Sequence, residues 1–190
     1  MLSRRQYVRT VGFVGVGALA GCNGTATTTT TVGPHGLAFR SPAFADGGSI
    51  PVQYTADGPE QSPPLSIASV ADGTETLSLI VDDPDAPGGA FVHWLLWNVP
   101  AERREIPVGL PPAETVPELG GARQGTNDFG EVGYGGPAPP ADDDPHTYRF
   151  TLYAVDRSLD VPGGAHREAL ESALDGAVLG RARITATYGR

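Results

Sequence analysis

Between Leu77 and Val99 two apolar runs flank an acidic turn, Asp82-Asp83-Pro84-Asp85-Ala86-Pro87-Gly88-Gly89. Pro84 and Pro87 fix φ and remove two N–H donors, and the paired glycines release the turn. In the first run Leu77, Leu79, Val81 and Asp83 share one face, while Ser78, Ile80 and Asp82 share the other. In the second, Val92, Trp94 and Leu96 alternate with His93, Leu95 and Trp97, so both faces are apolar. That pattern predicts a central strand covered on both sides, and so a sheet with a layer over each face.

The rest of the chain fits a mainly β domain. Eighteen prolines and 26 glycines divide it into short segments. Strands are expected at 37–40, 52–55, 65–67, 76–82, 91–99, 148–156 and 181–188. Only 165–174 reads as a good helix, with Ala169, Leu170, Ala173 and Leu174 as its apolar stripe and Gly176 as its stop. In the 148–156 strand, Tyr148, Phe150 and Leu152 lie on one side and Thr151, Tyr153 and Val155 on the other. His146 has the parity of Tyr148.

The first 22 residues read as an address. Ser3-Arg4-Arg5-Gln6-Tyr7-Val8 resembles a twin-arginine export signal, and Val11–Ala20 is an apolar run too short for a stable membrane anchor. Leu19-Ala20-Gly21-Cys22 resembles a lipobox, which marks Cys22 for lipid attachment. Glycines between Gly12 and Gly21 argue against an ordinary soluble helix. Residues 23–35 read as a disordered linker, with an unbroken threonine run from Thr27 to Thr31. The domain then spans 36–190. The predicted location is the outer face of the cytoplasmic membrane, held by lipid on Cys22.

Charge excludes a class of partner. Beyond Cys22, ten arginines face 22 acidic residues, a net charge of −12, and there is no lysine. Such a surface repels nucleic acid. The composition fits an organism living at high salt, where screening tolerates large net charge. Cys22 is the only cysteine, so compactness rests on the core.

Three constellations can carry chemistry. Asp83 continues a buried face, so it ends a covered strand; Asp85 lies two residues on, in the turn. A bare Asp-Pro turn more often serves its own loop N–H groups. His93 sits on an apolar strand; a carboxylate within reach would orient its imidazole and raise its pKa. A lone core histidine bonded to backbone is the competing reading. The loop from Gly120 to His146 is long enough to be functional and carries Gly135-Gly136-Pro137, where backbone N–H groups can approach a ligand. It lacks the lysine and helix of a P-loop. Asp142-Asp143-Asp144 lacks EF-hand spacing and reads as a solvated turn.

These segments stand in a recognisable order. Ser41-Pro42-Ala43-Phe44, Ser62-Pro63-Pro64-Leu65, Asp83-Pro84-Asp85-Ala86-Pro87, His93-Trp94, Gly125-x-Asn127-Asp128-Phe129-Gly130, Gly133-Tyr134-Gly135-Gly136-Pro137 and His146-x-Tyr148 resemble the phosphatidylethanolamine-binding protein family. The match is closest to its bacterial and archaeal Raf-kinase-inhibitor-like branch. The resemblance covers nearly all of 36–190. It implies an antiparallel β fold with a large central sheet, a smaller second sheet and peripheral helix. It also implies a pocket for phosphate-like or carboxylate anions, built from Asp83, Asp85, His93, His146, Tyr148 and the Gly135-Gly136-Pro137 backbone. In that reading His93 and His146 donate to anion oxygens, Tyr148 adds a hydroxyl and Gly136 an N–H. Asp83 orients a histidine or meets an ammonium group. Relatives in this branch are often dimers.

Some positions depart from the family. Thr147 stands where arginine is usual, which bears on the charge of the pocket rim. Ala177 follows Gly176 where histidine is common, and Ala56 and Ile67 replace a usual cysteine and tryptophan. The expected function is a lipid-tethered module that binds a small anion or phospho-headgroup, with no cofactor, no metal and no catalysis. Three alternatives are inhibition of a partner enzyme through the rim loops, hydrolysis using Asp83 and His93, and a metal site that adds His146. No Gly-x-Ser-x-Gly elbow supports the hydrolase.

Overall fold

Every residue of Thr76–Asp83 (β5) is buried, and the computed structural model shows why. The strand lies in the middle of a seven-stranded sheet with a layer on each face. The structure describes residues 31–32 and 36–190. The export signal, Cys22, most of the linker and His35 lie outside the described residues.

The strands, in chain order, are Thr31–Val32 (β1), Ala38–Arg40 (β2), Gly48–Ser49 (β3), Leu65–Ser69 (β4), β5, Phe91–Pro100 (β6), Glu105–Ile106 (β7), Thr115–Val116 (β8), Ala122–Gln124 (β9), His146–Val155 (β10) and Val178–Tyr188 (β11). The large sheet runs β3-β11-β10-β5-β6-β9-β8, and the small one β1-β2-β4-β7. All pairings are antiparallel except β3 with β11. The expected two-sheet β fold with one helix is what forms. The ladder pairs Thr31 with Phe39 and Val32 with Ala38, so the small sheet recruits two residues that read as linker.

Two cores explain the two apolar faces of the central strands. One fills the space between the sheets, with Phe39, Leu65 and Ile67 against Leu79, Trp94, Leu96 and Phe150. The other lies under helix Arg167–Leu174 (α1), where Leu170 and Leu174 meet Ile80, Leu95 and Trp97. Ala169 of the predicted stripe is exposed instead. Burying one large side chain contributes roughly 1.5–3 kcal/mol. The indole N–H groups of Trp94 and Trp97 donate to Gln124 Oε1 (2.8 Å) and the Val161 carbonyl (3.2 Å), so neither is left unpaired in the core.

One predicted strand is absent. Val52–Tyr54 is a single 3₁₀ turn, because Pro51 leads into it and the Thr55 N–H and hydroxyl both return to the Val52 carbonyl. A side chain at Gly58 would put its Cβ 2.2 Å from that same carbonyl oxygen. Local hydrogen bonding beats strand propensity here.

The pairing of β5 with β6 holds two irregularities. Val81 faces Trp94 and Asp82 faces Val92, which leaves His93 as an extra residue in β6. Leu77 faces Val99 and Leu79 faces Leu96, which leaves a second extra residue. There Asn98 adopts φ 56°, and its side chain clamps both backbone groups of Leu159 at 2.8 and 2.9 Å. Bulges of this kind bend a strand and redirect side chains. Val92 therefore joins the core under α1, while Trp94 joins the core between the sheets. Simple alternation along this strand, which places Val92 with Trp94, fails at His93.

Candidate functional site

The ends of β5, β6 and β10 lie side by side in the large sheet. Asp83 is the last residue of β5, and parity places it as the sequence predicts, beyond Leu79 and Val81. It is buried, and both carboxylate oxygens are used. Oδ1 accepts the Asp85 N–H at 2.8 Å, and Oδ2 accepts His146 Nδ1–H at 2.7 Å. Asp82, on the other face, meets Arg149 and Arg167 instead.

Asp83 therefore orients a histidine, but the histidine is His146. The hydrogen bond to Asp83 raises the His146 pKa above its ordinary value, against the opposing effect of burial. Its Nε2 is 3.5 Å from Asp143 Oδ2, beyond a good hydrogen bond. Asp143 also raises the His146 pKa, so Nε2 faces a second carboxylate.

His93 has a different environment. Its Nδ1 is 2.8 Å from the Gly135 carbonyl oxygen, which can only accept, so Nδ1 carries the proton. The Gly135 N–H returns a bond to the His93 carbonyl at 2.8 Å. Burial lowers the His93 pKa; the Gly135 contact and the charges of Asp83, Asp128 and Asp82 only partly oppose it. The ring packs edge-on against Phe129 and Tyr148 at 5.4 and 5.1 Å and lies tilted to Phe91 at 5.3 Å. The two histidines are therefore pushed in opposite directions. His146 tends to be charged and His93 neutral. The condition for a raised His93 pKa, a carboxylate bonded to the ring, is not met, and burial lowers it instead.

A cavity of about 220 Å³ opens at this point. Asp83, His93 and His146 are its polar lining; Ala86, Pro87, Phe91, Phe129, Ala138, Pro139 and Pro140 supply apolar walls. A more open acidic basin, lined by Asp85 and Asp142–Asp144, shares His146 with it.

The other predicted residues support this cavity from outside. Asp85 is exposed, and its Oδ2 accepts the Thr147 N–H at 2.8 Å, tying the turn to β10. The Gly136 N–H donates to Glu60 Oε1 at 2.8 Å, and the Pro137 carbonyl accepts from Ala56 at 3.0 Å. The Gly135-Gly136-Pro137 segment is thus a braced wall rather than an open row of donors. Tyr148 gives His93 its ring; its hydroxyl is buried, makes no hydrogen bond and is not part of the lining. Burial raises its pKa.

The apolar walls escaped the sequence reading. Ala86-Pro87 and Ala138-Pro139-Pro140 adjoin the chosen motifs, and their proline content was the available signal. Phe129 is set by Asn127, whose Oδ1 accepts the N–H groups of Phe129 and Glu131 at 3.0 and 3.1 Å. Gly135 must lack a side chain, since a Cβ there would stand 2.5 Å from the Phe129 ring.

Residues 40–189 match the family model described as phosphatidylethanolamine-binding protein. The chain belongs to the phosphatidylethanolamine-binding protein family. An Aquifex aeolicus member named UPF0098 protein is 43% identical over 151 residues, 79% of this chain and 86% of that one. A Mycobacterium tuberculosis protein named "Putative lipoprotein LppC" is 37% identical over 201 aligned positions, covering 97% of this chain and 96% of the other. Escherichia coli YbcL, solved as a new member of the mammalian family, superposes with a TM-score of 0.75 at 30% identity, over 81% of this chain and 98% of that one. No helix among the described residues is long and apolar enough to cross a membrane.

Proposed function

We propose that this family member is an exported, lipid-anchored module that holds a small anion, such as phosphate or a phosphorylated headgroup, in the Asp83–His93–His146 cavity. The observation that carries the reading is the 2.7 Å Asp83–His146 pair at the cavity lining. It favours the protonated, donating form of His146 at a cavity with apolar walls. The lipobox at Cys22, and a relative named as a lipoprotein that aligns along nearly the whole chain, support the anchor. In this reading His146, rather than His93, is the main donor.

Calorimetric titration with phosphate and phosphoethanolamine tests the site. Wild-type protein binds in the millimolar to micromolar range, and His146→Ala and His93→Ala each weaken binding. Equal binding by all three proteins removes the assignment. Sub-micromolar zinc binding lost in His93→Ala would move the reading to a metal site. Among the described residues no cluster of three or more His, Cys, Asp or Glu side chains is placed to hold a metal ion.

A further inference from the structure

Part of the large sheet's outer face, the side turned away from the small sheet, is exposed and basic. Ala182, Ile184 and Ala186 of β11 point into the core between the sheets, so Arg181, Arg183 and Thr185 point outward. Across the ladder they face Tyr153, Thr151 and Arg149 of β10. Arg167 of α1 borders the group. It meets Asp82 at 3.0 Å and Glu171 at 2.7 Å, and Arg149 meets the same Asp82 at 2.6 Å. Arg181 and Arg183 are exposed. Arg183 donates to the Thr151 hydroxyl at 3.0 Å, and neither arginine forms an ion pair among the described residues. Asp46 bounds the face at Thr185, whose N–H it accepts at 2.8 Å. Glu168, the next residue of α1, is exposed about 100° further round the helix. Four arginines thus stand against Asp82, Glu171 and Asp46, while beyond Cys22 the other six stand against nineteen acidic residues. Tyr153, partly buried among them, feels the excess. Burial raises its pKa, Arg181, Arg183 and Arg167 lower it, and Glu171 adds to the rise.

Two further observations point to what this face meets. β1 begins at Thr31, nine residues beyond Cys22, and lies against β11. Nine residues span at most about 30 Å, so lipid on Cys22 keeps this edge of the domain within roughly that distance of the bilayer. β3 pairs with β11 only at Ala186 and Thr187, which leaves the sheet edge beside Arg181 and Arg183 open. Resting on the lipid-anchor reading above, we propose that Arg181 and Arg183, with Arg149 and Arg167 beside them, form the face by which the tethered domain lies on anionic phospholipid headgroups. Elsewhere the domain is strongly acidic, and such headgroups repel it. One lipid chain holds a protein only marginally, and a basic patch is a second signal that makes the attachment stable. Arginine suits a surface of phosphates, because its planar fork gives two parallel N–H bonds as well as a charge. High salt shortens the reach of the face but leaves direct guanidinium–phosphate contact.

The test places the full-length lipidated protein in vesicles of phosphatidylcholine, alone or mixed with phosphatidylglycerol, that carry a headgroup quencher. A dye on Val178→Cys reports the face, since Val178 is exposed and pairs with Val155 on the α1 side of the sheet. A dye on Val108→Cys, exposed in the loop after β7, is the control. The expected result is quenching at position 178 in the phosphatidylglycerol vesicles and not in phosphatidylcholine, with position 108 quenched in neither. Arg181→Gln with Arg183→Gln lowers the ratio of docked to undocked protein roughly thirtyfold, the effect of two basic charges at an anionic surface. Raising salt from about 0.1 to 1 M, which cuts the screening length from about 10 to 3 Å, also weakens docking. Flotation with the vesicles reads the anchor separately. Protein that does not float refutes the anchor, and this proposal with it. Protein that floats but is quenched equally in both vesicle types, or docks unchanged in the double variant, keeps the anchor and refutes the docking face. The comparison between vesicles leaves all four arginines in place, so it does not depend on an arginine variant that must fold.

Discussion

Replacing Asp83 by asparagine isolates the interaction on which the site is built. The substitution keeps shape, and its amide oxygen can still accept the Asp85 N–H. It removes the negative charge that His146 Nδ1–H meets at 2.7 Å. The two side chains are only 7% and 4% exposed, so solvent screens the pair little. A hydrogen bond to a charged group contributes about 1.5–3 kcal/mol, so the variant loses about 2–3 kcal/mol in mildly acid solution. For a domain of this size that is a fall in Tm of about 4–12 °C. The sign of the pH dependence follows from His146. Its folded-state pKa is raised, so the stabilisation is complete below the ordinary histidine value of about 6.5 and is lost as pH rises through the folded value. The gap between wild type and Asp83→Asn should therefore narrow in alkaline solution, where a neutral imidazole N–H still donates to the Asp83 carboxylate but the attraction between opposite charges is gone. His93, with its pKa lowered, makes stability rise with pH below about 6.5 in both proteins; loss of the Asp83 charge lowers it further in the variant, which widens the gap in acid and so acts in the same direction. Urea denaturation across pH measures the gap, and histidine NMR titration shows the His146 pKa dropping in the variant. A gap that does not change with pH, or an unmoved His146, refutes the argument.

Further outcomes follow from the same packing. Gly135→Ala forces a Cβ into the Phe129 ring and should cost about 1–3 kcal/mol in urea unfolding while weakening phosphate binding. Asn98→Ala loses two hydrogen bonds to Leu159 and strains the φ of 56°, about 2–4 kcal/mol together; Asn98→Gly should recover the strain but not the bonds. Cys22→Ser should move the protein from the membrane fraction to the soluble one, as read by fractionation and blotting.

Much of the fold is legible residue by residue. Alternation along Leu77–Asp83 and Tyr148–Val155 assigned side chains to the faces they occupy, because the extra residues in their pairings lie in β6 and β11. The strands that escaped, β1, β3, β7, β8 and β9, are two or three residues long, too short for any period to show. The candidate site was harder. Its polar residues were all named, yet Asp85, Gly136, Pro137 and Tyr148 hold the walls rather than line the space, and the lining aromatic and proline residues look like ordinary loop composition.

What the sequence determined alone is therefore a buried-face Asp83, a His146–Tyr148 pair of one parity, two-sided central strands and the family. Only the tertiary structure decided how the histidines divide their roles. The Asp83 partner lies 63 residues away, on a neighbouring strand. The bulge at His93 depends on the register between β5 and β6, and register belongs to a pair of strands rather than to either one. That one extra residue turns His93 to the ring of Tyr148 and onto the Gly135 carbonyl, where burial lowers its pKa while Asp83 raises that of His146.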